Sequence, residues 1–231
     1  MSRIPPPTPR SLRESPSPLK GRGVYAVKEA FLTLQGEGVQ AGSRAVFLRF
    51  AGCNLWSGRE ADRATAQCNF CDTDFVGTDG PGGGKFAEAD ALAGQVEALW
   101  GAGRERRLVV ITGGEPMLQL DAALIEALHA RDFRIAVESN GTLAATPGID
   151  WLCISPKAGT KVVQRTGDEL KLVWPQDIDP AALETWDFDH YLIQPMDGPH
   201  VAAATQAAIT LAMERPRWRL SLQAHKVVGL R

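Results

Sequence analysis

Hydrophobic and polar positions alternate between two periods along most of the chain. Residues 25–34 alternate with period two and are rich in β-forming side chains, and residues 45–50 form a second short apolar run, so both predict strands. Residues 87–100 carry Leu92, Val96 and Leu99 at helical spacing, and residues 107–111 form a compact apolar strand. The order then repeats: a helix over 121–130, strands over 134–137, 151–154, 169–173 and 191–193, a helix over 201–214, and a last strand over 219–222. Strands alternating with helices predict an α/β fold on a parallel sheet, and in barrel-like members of that class the ligand site lies at the C-terminal ends of the strands.

Polar residues recur where those ends are expected. Gln35-Gly36-Glu37-Gly38 reads as a hairpin turn, or as a backbone-lined edge for a planar ligand in which Gln35 meets the amide edge of a heterocycle. Arg49 closes the second strand, where a guanidinium fork can meet a carboxylate, although a lone arginine is more often a surface charge. Thr112-Gly113-Gly114-Glu115-Pro116, Glu138-Ser139-Asn140-Gly141, Ser155-Pro156-Lys157 and Gln194-Pro195-Met196-Asp197 follow later strands, and Gln223, His225 and Lys226 follow the last. Each is a plausible loop by itself. Jointly they describe one mouth.

Three of the four cysteines sit in one loop-like stretch: Cys53, then Cys68-Asn69-Phe70-Cys71-Asp72-Thr73-Asp74. Grouped thiolates are soft ligands that suit zinc or an iron-sulfur cluster, and the spacing alone leaves open zinc, a cluster or unliganded thiols. No histidine lies between Cys53 and Asp74 to complete a zinc set. A structural zinc closes its tetrahedron with four protein ligands, whereas a cubane held by three leaves one iron able to bind something else. Cys153, inside Trp151-Leu152-Cys153-Ile154, reads as a small core residue of a buried strand.

The remaining features narrow the class. The chain has 231 residues, 44% of them hydrophobic and 23% charged, enough for one substantial core. A net charge of −2 gives no broad basic face for nucleic acid, and no apolar run is long enough to cross a bilayer. Without a secretory apolar segment, and with cysteines grouped as ligands, the cytoplasm is the expected compartment. Residues 1–23 hold six prolines, four serines and five basic residues against one acid, without hydrophobic periodicity, so they are expected to form a disordered tail. Residues 80–84, with four glycines, read as a flexible run.

Taken together, Cys53-Asn54-Leu55-Trp56-Ser57-Gly58-Arg59-Glu60, Phe70-Cys71-Asp72-Thr73-Asp74-Phe75, Thr-Gly-Gly-Glu-Pro, Ser-Pro-Lys and Gln-Pro-Met-Asp-Gly-Pro resemble the radical S-adenosylmethionine superfamily. Within it they resemble the 7-carboxy-7-deazaguanine synthase family of queuosine (7-deazapurine) biosynthesis. Most of the superfamily has a tighter Cys-x3-Cys-x2-Cys; the 14-residue first gap here looks like a subset of this family. The resemblance covers 25–231 and implies an incomplete TIM-like (β/α) barrel of the radical SAM type over residues 24–231, with the tail outside it.

By the same resemblance, Cys53, Cys68 and Cys71 hold a 4Fe-4S cluster whose open iron chelates S-adenosylmethionine. Gly113 and Gly114 let backbone approach its methionine part, and Glu115 bonds its ammonium. Phe70, Cys71, Asp72, Ser155, Pro156, Lys157, Gln194, Pro195, Met196 and Asp197 line the adenosyl side, with Glu138 and Asn140 as ribose candidates; Ser139 stands where a threonine is expected. Leu34, Gln35, Gly36, Arg49, Thr112 and the terminal carboxylate of Arg231 contact substrate, and Thr73 is a Mg2+ ligand.

The implied activity is that of a carbon-nitrogen lyase acting on 6-carboxy-5,6,7,8-tetrahydropterin, which is converted to 7-carboxy-7-deazaguanine and ammonia. A 5'-deoxyadenosyl radical starts the reaction and S-adenosylmethionine is regenerated at its end. A flavodoxin-like or ferredoxin-like electron donor and a homodimer are implied as well. Two other functions compete: another radical enzyme, such as a glycyl-radical activase, and a zinc-stapled binding module.

Overall fold

The computed structural model describes residues 23–230. The expected tail, apart from Gly23, and Arg231 therefore lie outside the described residues. Nine strands form one open sheet: β1 (Tyr25–Leu34), β2 (Arg44–Phe50), β3 (Gly84–Phe86), β4 (Leu108–Gly113), β5 (Arg134–Ser139), β6 (Trp151–Ile154), β7 (Thr166–Trp174), β8 (Asp187–Pro195) and β9 (Trp218–Leu220). Their order in space is β3-β1-β2-β4-β5-β6-β7-β8-β9. Pairs from β2 to β9 are parallel, as expected for crossover connections. The first strand departs from the all-parallel expectation, because β1 runs antiparallel to both β2 and β3. Only the short loop over residues 35–43 joins β1 to β2, too little chain for a crossover.

Among the described residues, α1 (Ala89–Trp100), α2 (Ala122–His129), α3 (Pro180–Leu183) and α4 (Val201–Glu214) lie in the connections, and α5 (Ala224–Val227) follows the last strand. Leu92, Val96 and Trp100 of α1, Leu124, Ile125 and Leu128 of α2, and Ala208 and Leu211 of α4 pack on one face of the sheet with Leu48, Val109, Ile111, Ile135, Val137, Leu170 and Ile193. Removing each such Leu, Ile or Val side chain from water contributes roughly 1.5–3 kcal/mol. α2 starts at Asp121, whose carboxylate accepts from Leu124 N at 3.0 Å.

Period two then decides what the opposite face carries. The strand positions between those core residues are Phe47 and Arg49, Val110 and Thr112, Ala136 and Glu138, Trp151 and Cys153, Glu169 and Lys171, and Gln194. Near the strands' starts this inner set is apolar, with Ala45, Leu108, Val110 and Ala136 in a small cluster of their own. Farther along it becomes polar. Cys153 is buried here, as a small core residue would be.

The sheet does not close by strand pairing, but its two ends meet through loops. Gly36 O accepts from Ala224 N at 2.8 Å, and Gly38 N donates to Ser221 Oγ at 3.0 Å. Gly38 has φ +72°, and a Cβ there would sit 2.4 Å from Glu169 Oε2, so this crossing admits only glycine. The run over 80–84 is not free: Ala30 N donates to Pro81 O at 2.8 Å and Gly80 N to Lys28 O at 2.9 Å, and Gly84 begins β3 on the edge of β1. Lys28 Nζ secures the same loop through Asp74, Asp79 and Val76 O, each within 2.9 Å.

Candidate active site

A cavity of about 400 Å³ opens on the polar part of the sheet's inner face. It is the size of a small-molecule site. At one end the cysteine loop leans over the ends of β2, β4 and β5. The first cysteine is placed by a backbone fit: Gly114 lies so close to the chain after β2 that a Cβ would fall 2.3 Å from Gly52 O and 2.5 Å from Cys53 Cβ. Glu115 N donates to Gly52 O at 3.0 Å and completes that seam. Asn54, next to Cys53, is held by Asn140 Nδ2 at 3.0 Å and donates to Thr142 Oγ1 at 2.7 Å.

Cys53, Cys68 and Cys71 all line this cavity. A hydrogen bond from the Cys68 thiol lowers Cys71 to about 6, and the same bond, with burial, raises Cys68. Burial raises Cys53. Among the described residues no three His, Cys, Asp or Glu side chains converge on a single ion-sized position. Three thiols sharing one cavity are soft ligands that fit a cluster, which takes one thiolate per iron. Lys157 approaches the same thiols; its Nζ donates to Ser155 O at 2.9 Å and Ser155 Oγ at 2.6 Å, 5.9 Å from the centre of the Phe70 ring. Burial holds the Lys157 ammonium below its usual value, with the thiols acting the other way.

Deeper in the cavity lies a layer of paired charges. Gln35 Nε2 donates to Glu138 Oε1 at 3.1 Å, and Lys171 Nζ is 2.5 Å from Glu37 Oε2 and 3.3 Å from Glu138 Oε1. Burial acts to raise the Glu37 carboxyl, but the Lys171 charge and hydrogen bonds from Lys171, Gln223 and Gln194 outweigh it and hold the group at about 2. Burial likewise opposes the Lys171 charge, and Glu138 and Glu37 overcome it. Arg49 and Thr112 border the layer, with Arg49 Nε 2.9 Å from Glu29 Oε1. At the mouth, Lys226 of α5 lies 2.6 Å from both Asp72 Oδ2 and Asp197 Oδ2.

Leu34, Gln35, Gly36, Arg49, Phe70, Cys71, Asp72, Thr73, Thr112, Gly114, Glu138, Ser155, Lys157, Gln194, Pro195, Met196 and Asp197 thus share one cavity. Glu115 and Pro156 do not line it. The Glu115 side chain, fully buried, accepts from Met117 N at 3.0 Å, Ser139 Oγ at 2.8 Å and Asn140 N at 2.8 Å. Its carboxylate therefore ties the end of β4 to the end of β5. Ser139, in place of the expected threonine, keeps the hydroxyl this tie needs. Pro156 is buried behind Ser155 and Lys157. Glu138 is grouped with Gln35 and Lys171 rather than with the loop that carries Ser155. Lys171 and Glu29 were not anticipated from sequence; the available signal was a charged residue standing inside an apolar strand.

A model of the radical SAM superfamily matches residues 62–167. The chain is 62% identical to a 7-carboxy-7-deazaguanine synthase from Caulobacter vibrioides, over 89% of this chain and 99% of that one. It is 60% identical to a protein of the same name from Bordetella pertussis, with the same coverage. Among solved structures, QueE from Escherichia coli superposes with a TM-score of 0.63 at 27% identity, covering 87% of this chain and 95% of that one.

Proposed function

Because the chain belongs to the 7-carboxy-7-deazaguanine synthase family of the radical S-adenosylmethionine superfamily, we propose a division of labour among its residues for the family's reaction. The protein is a radical SAM lyase of queuosine biosynthesis, converting 6-carboxy-5,6,7,8-tetrahydropterin to 7-carboxy-7-deazaguanine with loss of ammonia. The observation that carries the division is that the three thiols and the layer of Gln35, Glu37, Glu138 and Lys171 open into one cavity of about 400 Å³.

Cys53, Cys68 and Cys71 would hold the 4Fe-4S cluster. When bound, the cluster and S-adenosylmethionine would supply single-electron and radical chemistry. The protein's residues supply orientation. Phe70, Asp72, Ser155, Lys157 and the Gln194-to-Asp197 turn line the adenosyl side, and the backbone of Gly113 and Gly114 borders the methionine part. Gln35 and Glu138 present an amide and a carboxylate to the pterin's donor and acceptor edge, Arg49 meets its carboxylate, and Thr112 lies beside them. Such fixed partners hold the reacting C–H bond toward the radical and exclude other hydrogen donors.

Thr73 would supply one oxygen to Mg2+, with the substrate and water supplying the others, a sparse set that suits this ion. A flavodoxin-like or ferredoxin-like donor, a homodimer and a cytoplasmic location complete the proposal. The test is incubation of anaerobically reconstituted, reduced enzyme with the carboxypterin, S-adenosylmethionine and Mg2+, reading deazaguanine absorbance. EPR of the reduced protein before and after adding S-adenosylmethionine reports the open iron. A cluster-loaded protein that makes no deazaguanine, or whose spectrum ignores the cofactor, overturns the reading.

A further inference from the structure

The long interval between Cys53 and Cys68 folds into a 3-10 turn, Glu60–Thr65, that buries none of its own residues. A segment with no apolar anchor needs another reason to hold one shape. That reason is Arg63. Its Nε lies 2.8 Å from both carboxylate oxygens of Glu60, one turn back. Its NH1 donates to Asn69 O and to Cys71 O, each at 3.0 Å, the carbonyls flanking the second and third cysteines. The guanidinium carbon lies 4.1 Å from the centre of the Trp56 ring, three residues after the first cysteine. Trp56 is itself fixed: it is 8% exposed, packs edge-on to Phe75 at 5.5 Å and donates through Nε1 to Arg59 O at 3.2 Å.

One side chain therefore touches the chain after Cys53 and the chain around Cys68 and Cys71. In a tight cysteine motif, chain connectivity sets the distance between the first ligand and the other two; across 14 intervening residues it cannot. We propose that Arg63 is the positioning residue of the metal centre, clamping the first cysteine arm to the Cys68–Cys71 pair so that three thiolates present themselves as one ligand set. The fork geometry matters because a single guanidinium can donate in its plane to Glu60 and two carbonyls while its face stacks on Trp56; an ammonium can do only part of this. The position also sets charge. A cation hydrogen-bonded to the Cys71 carbonyl favours the more negative, reduced state of whatever those sulfurs hold.

The inference rests on the reading that Cys53, Cys68 and Cys71 bind a cluster. Its test uses the anaerobically reconstituted full chain and follows iron released to a ferrous chelator, together with the cluster's reduction potential. Arg63→Ala is expected to release iron at least roughly tenfold faster than the parent chain and to have a more negative potential. Arg63→Lys is expected to release iron almost as fast as Arg63→Ala but to keep the parent potential, since charge is retained and the fork is lost. Arg59→Ala, in the same insert, is expected to match the parent in both measurements. A release rate for Arg63→Ala within roughly twofold of the parent overturns the inference, and so does an unchanged potential. If Arg63→Ala does not accumulate folded, Glu60→Gln decides: iron release faster than the parent's supports the clamp, and a parental rate overturns it. A parent chain that takes up no cluster sinks the reading beneath; a loaded parent with unaffected variants sinks only the clamp.

Discussion

Lys171 Nζ lies 2.5 Å from Glu37 Oε2, joining residues 134 positions apart in sequence, with the lysine side chain 5% exposed and the glutamate 14%. Two ions held this far from water persist because each is answered: Glu37 by Lys171, Gln223 and Gln194, and Lys171 by Glu37 and Glu138. Removing one partner leaves the other buried and uncompensated. Lys171→Met is therefore expected to lower unfolding free energy by about 3–5 kcal/mol, measured by urea denaturation of the reduced protein. A loss below about 1 kcal/mol would mean that water reaches the layer and replaces the missing charge.

The same pair sets a pH dependence with a definite sign. Glu37 is held at about 2 in the folded state, against about 4.3 for an unperturbed glutamate. A depressed carboxyl contributes stability that is fully present above the unfolded value and is lost as pH falls through the folded one. The difference in melting temperature between the parent and Glu37→Gln should accordingly be largest near neutrality and shrink between about pH 4.3 and about pH 2. Growth of that difference on acidification would contradict the assignment of Lys171 as the partner.

Glu115 separates a ligand-binding role from a structural one. Its carboxylate accepts from Met117 N, Ser139 Oγ and Asn140 N at 2.8 to 3.0 Å and is fully buried. Glu115→Gln replaces an acceptor with a donor facing donors, so a loss of about 1–3 kcal/mol is expected, with a parallel loss of cluster because Cys53 is seated by the same turn. Were the carboxylate instead a ligand for an ammonium, stability would be unchanged and only the KM for S-adenosylmethionine would rise. Denaturation and KM measured on one preparation distinguish the two.

The contrast between Glu115 and Lys171 also marks what the sequence could disclose. Cys53, the Cys68-to-Asp74 run, Thr112 to Glu115, Ser155 to Lys157 and Gln194 to Asp197 are each contiguous, so short-range spacing was enough to find them. Even there, residue identity did not tell that Glu115 is fully buried and tied to Ser139 and Asn140, because those donors come from another strand's end. Lys171 and Glu29 belong to apolar strands, and their partners lie in other strands or loops; only the finished sheet brings them together. The 3-10 turn over Glu60–Thr65 buries nothing, so no apolar period announced it. The reversal of β1 was legible only as far as the hairpin reading of residues 35–38, and three-residue β3 lay hidden in glycine.

Lys226 bridges the mouth, with Asp72 Oδ2 and Asp197 Oδ2 both 2.6 Å from its Nζ. Its hydrogen bond holds Asp197 below the usual carboxylate range. All three side chains are more than a third exposed, so the bridge is screened by solvent and adds little to global stability. Its effect should be local: Lys226→Met frees α5 from the loop that carries Asp72. An increase of roughly twofold to fivefold in the KM for S-adenosylmethionine is expected at low salt, with the parent's own KM rising toward that of the variant as ionic strength increases. A salt-independent difference would mean that the lysine acts through packing.

Thr73 carries the proposal for Mg2+, and its surroundings make the test sharp. Its hydroxyl lies at the rim of the cavity, 3.5 Å from Asp72 Oδ1, while the neighbouring carboxylates are engaged by lysines, Asp72 Oδ2 by Lys226 at 2.6 Å and Asp74 by Lys28 at 2.8 Å. A neutral hydroxyl beside a substrate carboxylate contributes one ligand oxygen without adding charge, which leaves the ion dependent on the substrate for its affinity. Thr73→Ala is then expected to raise the Mg2+ concentration giving half-maximal rate by roughly tenfold and to lower turnover at a fixed Mg2+ level. Iron content and the EPR response to S-adenosylmethionine should stay as in the parent, since the cysteines and the adenosyl side are untouched. Thr73→Ser keeps the oxygen and should restore most of the Mg2+ response. If the alanine variant shows the parent's Mg2+ titration, the threonine is not a ligand, and the ion, if used, is held by substrate and water alone.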